Sequence, residues 1–466
     1  NITGYSVLFG LASGMDPICG QAFGAQNWPL IGLSLQRTIL ILLSSTIPIS
    51  VLWLNLERIL LALGQDPSIT TVASVYCLYS IPDLFINSFS QPLRVYMRSQ
   101  GITAPMMWCS ALAVLLHIPL NILLVFVMKL GVPGVAMAAC WTNLNMLLFL
   151  VGYLKYSGAY KRTWKGWPTK DVFREWWPLL KLAIPSCCAI CLEWWWYEIL
   201  TMLAGYLENP REAVASTAIL IQTTSLMYTI PLGLSSSVST RVGNELGRGS
   251  GEGARRAAIV ALAVSGLVGI GHFGWASALR NTWGRLFTRE QSVLQLTASV
   301  MPLIGLCELG NCPQTTGCGV LRGSARPSSA ARINLGSFYL VGTPVAVFLA
   351  FQTSLGFAGL WFGLLAAQVA CATSILYVVF FSTDWSAETH NARELSQLSQ
   401  LSQLSQASKT DPQPKLELST SHLPPHHALL PISDLDLDLG LDLDHDRSRD
   451  NNLDDEEKVA LIASTP

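Results

Sequence analysis

The chain has 466 residues, of which 51% are hydrophobic and only 13% are charged. Ordinary soluble domains carry roughly 25% charged residues, so this composition argues against a soluble globular protein. The formal net charge of −1 combines a basic body with an acidic end: residues up to Ser386 hold 23 Lys and Arg against 15 Asp and Glu, and the remainder holds 6 against 15. We expect no nucleic-acid partner.

Long apolar segments follow one another along most of the chain. A helix needs about 20 mostly apolar residues to cross the ~30 Å hydrocarbon layer. A soluble helical bundle does not explain so many long runs with so few charges, so the sequence predicts an all-α polytopic membrane protein. The predicted spans are 3–23, 34–56, 69–92, 106–128, 133–154, 177–206, 213–239, 256–279, 293–320, 333–352 and 357–381.

The loops at alternate ends of these spans differ in charge. One set contains the basic stretch 155–181 together with Arg241, Arg248 and Arg326, and the other set has few Lys or Arg. Since cytoplasmic loops carry the excess of positive charge, the first set is predicted to be cytoplasmic. The loop 156–176 and the C-terminal tail lie on that side.

The sequence repeats itself once. Gly10–Ser13 (GLAS) and Gly20–Gly24 (GQAFG) match Gly233–Ser236 (GLSS) and Gly243–Gly247 (GNELG) at an offset of 223. Further matches occur at nearly the same offset, Arg98 with Arg322 and Leu130–Gly134 (LGVPG) with Leu355–Gly359 (LGFAG). Matched segments lie at equivalent ends of spans on one side, which predicts a parallel repeat of two lobes.

This repeat predicts the domain organisation. We expect an N-lobe at 1–155, a cytoplasmic loop at 156–176, a C-lobe of six membrane helices at 177–382 and a disordered acidic cytoplasmic tail at 383–466. The span at 177–206 needs a partner that falls before residue 1, and the chain begins with Asn1. We therefore expect the N-lobe to hold five of its six helices, with roughly the first 45 residues of the protein missing from this sequence.

Acidic residues inside spans are the first candidates for function, because ionisable groups at membrane depth are rare. Glu193 and Glu198 lie in mid-span five residues apart, about 140° around a helix, so only one is expected to point straight into a central cavity. Glu308 lies in another span. A carboxyl group in an apolar site can exchange a proton near neutral pH. Asp16 and Asp83 each adjoin a proline, and a structural role near a kink is an equal alternative.

Few other residues in the sequence indicate a binding or catalytic site. The lone His117 is more typical of a helix–helix contact than of a proton relay. The run Trp194–Trp196 is compatible with a cavity for flat or cationic solutes or with ordinary packing. We find no phosphate loop, no metal-ligand spacing and no nucleophile elbow, so we expect no cofactor, no metal and no enzymatic activity, and we expect uphill transport to use an ion gradient.

Several long motifs are similar to one transporter family. They are Cys191–Glu198 (CLEWWWYE), Pro231–Gly247 (PLGLSSSVSTRVGNELG), Pro17–Ala25 (PICGQAFGA), Gly319–Gly323 (GVLRG) and Gly310–Gly319 (GNCPQTTGCG). Together they resemble the multidrug and toxic compound extrusion (MATE) transporters, the last of them the plant branch, and the similarity extends from residue 1 to about 382.

The resemblance implies a V-shaped carrier of two six-helix lobes around a central cavity. Such carriers exchange protons, or sodium in some members, for organic solutes by rocking between two open states. The acidic residues that carry coupling and binding in eukaryotic members correspond to Glu193, Glu198 and Glu308. The cavity lining is then expected to include Trp194, Trp195, Tyr197, Asn311 and Asp83.

The end of the chain has a different character. The triplet Leu-Ser-Gln occurs four times in 395–406, and Asp and Leu alternate in 434–446. This composition predicts disorder. Glu457, Leu461 and Ile462 resemble an acidic dileucine sorting signal, which points to sorting machinery as a partner and to a vacuolar or late endosomal membrane, with the plasma membrane as the alternative.

Three functions are compatible with these observations. The favoured one is a proton-coupled exporter of organic solutes such as xenobiotics, secondary metabolites or organic ions. The second is a lipid-linked saccharide flippase, which requires a cationic cavity for pyrophosphate. The third is a non-transporting membrane scaffold that acts through its tail.

Overall fold

The computed structural model describes residues 2–62, 67–164, 166, 170–174 and 176–395. All regular elements in this part of the chain are helical. The dileucine-like residues Glu457, Leu461 and Ile462 lie outside the described residues.

Fourteen α-helices precede residue 382, and short 3₁₀ turns lie at Ala159–Arg162, Lys170–Phe173 and Trp283–Leu286. Two of the α-helices continue into π-helical segments, α6 into Ile122–Val127 and α12 into Leu335–Gly342. The helices are α1 Ile2–Ser13, α2 Met15–Gly24, α3 Trp28–Leu54, α4 Leu56–Ala62, α5 Pro67–Ser99, α6 Ala104–Asn121, α7 Val132–Ser157, α8 Trp177–Ala204, α9 Pro210–Gly247, α10 Gly251–Leu279, α11 Gln291–Gly323, α12 Pro327–Asn334, α13 Thr343–Phe351 and α14 Phe357–Phe381.

Within the described residues, nine helical segments are long and apolar enough to cross a membrane. Two of the eleven predicted spans are not among them. The span predicted at 3–23 is divided by a turn at Gly14 into α1 and α2. The span predicted at 69–92 lies inside the 33-residue helix α5, whose hydropathy is lowered by polar side chains that include Asp83, Arg94 and Arg98.

Backbone geometry repeats in the two halves of the chain. Positive φ angles occur in three equivalent pairs: Gln26 and Gly249 (φ 59° and 87°), Gly101 and Ala325 (76° and 57°), and Gly131 and Gly356 (61° and 49°). Each pair connects equivalent helices, and the offsets of 223, 224 and 225 are those of the sequence matches. The turns, which L-residues other than Gly rarely adopt, are thus shared by both halves.

Two hydrophobic cores stabilise the fold. One joins buried residues between Leu8 and Ala183, and the other joins buried residues between Ala189 and Ala392. The helix α8 contributes to both, because Ala183 belongs to the first core and Trp196 to the second. This helix therefore connects the two halves after the loop at 156–176.

Glycine allows the two halves to meet backbone to backbone. A Cβ on Gly20 would lie 3.3 Å from the Cα of Gly243, so α2 and α9 touch where the repeated motif occurs. Added Cβ atoms on Gly24 and Gly247 would collide with the main-chain oxygens of Asn244 and Gln21. The same motif that marks the repeat in sequence therefore forms the seam between the halves.

The beginning of the segment predicted to be disordered is helical, which corrects the prediction for residues 385–395. Asp384 caps this helix, α15, with its Oδ1 accepting from the N–H groups of Ser386 (2.9 Å) and Ala387 (3.2 Å). Glu388 pairs with Arg326 at 3.2 Å, and Ala392 is buried in the second core. The capping residue and the ion pair stabilise a helix that composition alone did not indicate.

Candidate functional site

Glu308 is the most enclosed of the predicted acidic residues, with 1% of its surface exposed. Asn311 Nδ2 donates to its Oε1 at 3.0 Å. Its Oε2 lies 3.2 Å from His272 Nδ1 and accepts from Cys312 Sγ at 3.6 Å. The carboxyl group therefore has partners at both oxygens, as buried polar groups require.

Helix geometry explains this cluster. Glu308, Asn311 and Cys312 are three and four residues apart on α11 and share one face. Two glycines let α10 approach that face, since a Cβ on Gly269 would lie 3.0 Å from Glu308 O and one on Gly305 would lie 2.9 Å from the Cα of Phe273. Close packing of the two helices brings the imidazole to the carboxyl group.

His272 and Cys312 were not among the residues that we expected to be functional. We expected no metal; among the described residues, His272, Glu308 and Cys312 nevertheless form a compact group of side chains that could act as metal ligands. The two helices that supply them are separate in sequence, so no short spacing motif exists. The available signal was a histidine inside an apolar span.

Glu193 on α8 is 5% exposed and accepts a hydrogen bond from Gln314 Nε2 at 3.1 Å. It lines a cavity of about 320 Å³. Trp194 and Tyr197 from the same helix line it too, together with Tyr228 of α9 and Ile2 of α1. A carboxyl group and three aromatic rings thus share one cavity between elements of both halves.

Glu198 is on the exposed surface of α8 and is not part of this cavity lining. The expectation that Glu193 and Glu198 would not share a face agrees with this placement. Only Glu193 of the two joins the cavity, since 140° of rotation separates them.

Three residues that we expected to line the cavity lie elsewhere. Trp195 turns toward α1, where its Nε1 donates to Ser6 Oγ at 3.0 Å. Asn311 and Asp83 are only 1% and 3% exposed and are engaged in hydrogen bonds inside their own halves. Asp83 is bonded to Asn143 of α7, and Asn311 is bonded to Glu308 of its own helix and to Gln368 of α14.

The N-terminal half buries its own acidic network around Asp83. Tyr5 Oη donates to Asp83 Oδ2 at 2.5 Å and Asn143 Nδ2 donates to Oδ1 at 2.9 Å. Asn87 Nδ2 donates to the main-chain oxygen of Asp83, and Gln91 Nε2 donates to Asn87 Oδ1 at 3.1 Å.

Equivalent positions build the network around Glu308. Asn87 corresponds to Asn311 and Gln91 to Thr315 at the offset of 224, and Thr315 Oγ1 donates to Asn311 Oδ1 at 3.3 Å. Asn143 corresponds at offset 225 to Gln368, whose Nε2 donates to Asn311 Oδ1 at 3.4 Å. Asp83 and Glu308 are therefore each enclosed by a related set of amide and hydroxyl side chains, although Asp83 itself corresponds to Cys307 at this offset.

Asp16 joins the two halves at the seam. Its Oδ1 lies 2.7 Å from Arg98 of its own half, and its Oδ2 lies 3.8 Å from Arg322 of the other half. These two arginines are the pair matched by the repeat. Nearby, Gln21 Nε2 donates to Gly323 O at 3.2 Å, so polar contacts and backbone contacts close the seam together.

A second cavity of about 360 Å³ lies beside this ion pair. Asp16, Arg94, Arg98 and Arg322 line it. It shares Thr229 and Leu232 of α9 with the cavity at Glu193. Both cavities therefore adjoin α9. Among the described residues, the first is lined by Glu193 and aromatic rings and by no Lys or Arg, and the second is lined by three arginines and one aspartate.

The MatE family model matches residues 1–123 and 185–348. The chain belongs to the MatE family. Protein DETOXIFICATION 49 of Arabidopsis thaliana is 56% identical to it over 395 residues, which cover 85% of this chain and 78% of that protein. Protein DETOXIFICATION 52 of the same plant is 54% identical over 396 residues, covering 85% and 78%.

Solved structures agree with this assignment. The crystal structure of the eukaryotic MATE transporter AtDTX14 superposes with a TM-score of 0.81 at 33% identity, covering 84% of this chain and 87% of that one. An outward-facing MATE transporter of the MOP superfamily has a TM-score of 0.71 at 16% identity, covering 84% and 86%, and shows the shared fold alone. This MATE chain is a multi-pass membrane transporter of small organic solutes and not an enzyme.

Proposed function

We propose that this transporter is a secondary active antiporter that exports organic solutes in exchange for protons. The observation that carries the proposal is the position of Glu193, a nearly buried carboxyl group that lines the aromatic cavity and is held by Gln314. A solute and a proton can compete for such a group, and this competition is the requirement for exchange. The names of the plant relatives, which refer to detoxification, support export of unwanted solutes.

The cavity lining favours flat or cationic solutes. Trp194, Tyr197 and Tyr228 offer aromatic faces within the cavity, and a cation over such a face gains about 0.5–2 kcal/mol. Phe9 of α1 stacks on Trp194 with the ring centroids 5.8 Å apart, so the aromatic wall continues across the seam. The carboxylate of Glu193 complements positive charge on the solute.

A chain of contacts connects the acidic residues with the seam. Glu308 is bonded to Asn311, and Asn311 to Thr315. Ser235 Oγ donates to the main-chain oxygen of Thr315 at 2.6 Å and accepts from Arg322 Nη2 at 2.9 Å. Since Arg322 also reaches Asp16, proton uptake in the C-terminal half can act on the contact that holds the halves together, which supports rocking alternating access.

The proposal is tested with the purified full chain in liposomes with an acidic lumen. An aromatic cation such as ethidium is expected to accumulate inside, and a protonophore should abolish the accumulation. Glu193→Gln and Glu308→Gln are expected to remove most of it, whereas Glu290→Gln, which alters an exposed acidic residue at the start of α11, is the matched control. Accumulation driven equally well by a sodium gradient without a pH gradient would refute proton coupling.

The second cavity favours an alternative solute class. Three arginines line it against one aspartate, and a positively charged lining is suited to organic acids or to the pyrophosphate of a lipid-linked saccharide. The two solute classes predict opposite selectivity, so competition of ethidium transport by citrate and by tetraethylammonium separates them. Inhibition by tetraethylammonium supports the cation exporter, and inhibition by citrate alone supports the alternative.

We further propose that sorting machinery directs the protein to the vacuolar or late endosomal membrane through Glu457, Leu461 and Ile462. Replacement of Leu461 and Ile462 by alanine in a fluorescent fusion is expected to move the protein to the plasma membrane. An unchanged distribution would contradict the proposal.

A further inference from the structure

Three potential metal ligands of different chemistry converge in the C-terminal half. His272 Nδ1, Glu308 Oε2 and Cys312 Sγ form a triangle with sides of 3.2 Å (N to O), 3.6 Å (S to N) and 3.6 Å (S to O). None of the three belongs to the lining of the cavity at Glu193. The triangle therefore lies outside that cavity.

The sides match one face of a tetrahedral zinc site. With zinc–ligand lengths of about 2.0–2.1 Å to imidazole nitrogen, about 2.0–2.2 Å to carboxylate oxygen and about 2.3 Å to thiolate sulfur, a tetrahedron places nitrogen and oxygen about 3.3–3.5 Å apart. The same lengths place sulfur about 3.5–3.7 Å from either atom. All three observed distances agree with these values to within about 0.2 Å.

We propose that His272, Glu308 and Cys312 form a binding site for a divalent cation of the zinc class. A thiolate and an imidazole exclude Na⁺, Mg²⁺ and Ca²⁺, which prefer oxygen ligands, and favour Zn²⁺ or Co²⁺. Three protein ligands leave the fourth tetrahedral position for water or a small anion. Binding of this ion is measured separately from transport, and an ion held there would occupy the carboxylate of Glu308 in its deprotonated form, so ion binding and protonation of Glu308 exclude each other.

The surroundings suit such an ion. Asn311 Nδ2 donates to Glu308 Oε1 at 3.0 Å, which leaves the other oxygen, Oε2, directed at His272 and Cys312. Metal sites commonly orient their ligands by outer-sphere hydrogen bonds of this kind. A dication with one carboxylate and one thiolate is a neutral unit, which an apolar interior tolerates far better than a charged one. The imidazole side chain of His272 is 12% exposed against 1% for Glu308, so it lies nearer to the protein surface than the carboxyl group.

The test is cobalt binding to the purified full chain in detergent, followed by absorption. One competing arrangement must be removed first, because Cys187 and Cys191 place two sulfur atoms 3.8 Å apart. We therefore specify Cys187→Ser as the background for every measurement. Co²⁺ is expected to give a thiolate-to-metal charge-transfer band and the intense visible bands of a tetrahedral site, saturating at one ion per chain.

Substitutions of the proposed ligands test which residues bind the ion. Cys312→Ser is expected to abolish the charge-transfer band, and His272→Ala is expected to weaken cobalt affinity by at least about 100-fold, the upper end of what loss of an outer-sphere partner costs. Cys307→Ser is the matched control, since it changes a buried cysteine of the same helix whose sulfur is directed at Trp361 O, and it should leave the band intact. Zn²⁺ should displace Co²⁺ at lower concentration, because zinc favours a tetrahedral site with imidazole and thiolate ligands.

Two results would overturn the assignment: no cobalt–thiolate band in the Cys187→Ser protein, or a band that survives in Cys312→Ser. Because either ligand variant can disturb folding, each is compared by size exclusion and melting temperature without metal. Zn²⁺ should raise the melting temperature of the background protein and not that of His272→Ala, because binding to the folded state alone stabilises it. An equal rise in both proteins would place the ion elsewhere.

Discussion

The contact between Asp16 and Arg322 predicts how firmly the seam is held closed. Asp16 pairs with Arg98 within its own half and with Arg322 across the seam. Only the second pair breaks when the halves separate. Asp16→Asn removes the charge and keeps the shape, and is therefore expected to favour the state in which the seam is open.

The structure sets the size of this effect. Unit charges 3.8 Å apart attract by about 4 kcal/mol at an effective dielectric constant of about 20. Opening returns Arg322 toward water, which offsets part of this attraction, and couplings of this kind amount to about 1–3 kcal/mol. We take about 2 kcal/mol, which corresponds to about a 30-fold rise in the ratio of open to closed molecules.

The assay is a distance measurement across the seam. Spin labels attached through a non-natural amino acid at the exposed positions Gln26 and Arg248 report the separation of the halves without using the native cysteines. Double electron–electron resonance should show a short distance in the unmodified protein and a larger long-distance population in Asp16→Asn.

Arg98→Gln provides the control. It removes the pair that is present in both states and leaves Asp16 facing Arg322, so it should not increase the long-distance population. The reasoning is refuted if Asp16→Asn leaves the distribution unchanged, or if Arg98→Gln opens the seam to the same extent.

Three further predictions concern separate parts of the molecule. Gly20→Leu places a side chain against Gly243 and should increase the long-distance population; a closed seam in that variant would contradict the backbone contact. Trp194→Ala should weaken binding of an aromatic cation by about 2- to 30-fold in fluorescence titrations, whereas Trp195→Ala, which alters a residue bonded to Ser6, should not. Asp384→Ala should cost about 1 kcal/mol locally and increase hydrogen exchange in 385–395, with exchange in α14 unchanged; equal exchange in both proteins would exclude the capping role.

The sequence allowed much of the membrane fold to be predicted, because a span is a local property of composition. The repeat was visible because α2 and α9 are too close for any side chain at Gly20, Gly24, Gly243 and Gly247, so both halves carry glycine at these positions. The turn at Gly14 was missed, since the hydropathy on both sides of it is continuous.

The sites were predicted less completely. Glu193 and Glu308 were recognisable as acidic residues in apolar spans, but their partners come from distant helices that no spacing reveals. The related hydrogen-bond networks of the two halves were also hidden. Gln91 corresponds to Thr315 and Asn143 to Gln368, so the equivalent residues can form similar hydrogen bonds although they are different amino acids. Helix α15 was missed since its stability comes from Asp384 and from the contact of Glu388 with Arg326.

The most direct test of the central claim compares two transport modes in Glu193→Gln. Solute–solute counterflow requires binding and movement of the halves, and exchange against a pH gradient additionally requires a titratable group in the cavity. The account predicts that Glu193→Gln retains counterflow of a neutral aromatic solute while accumulation no longer responds to the pH gradient. Accumulation that still follows the pH gradient in this variant would contradict the account.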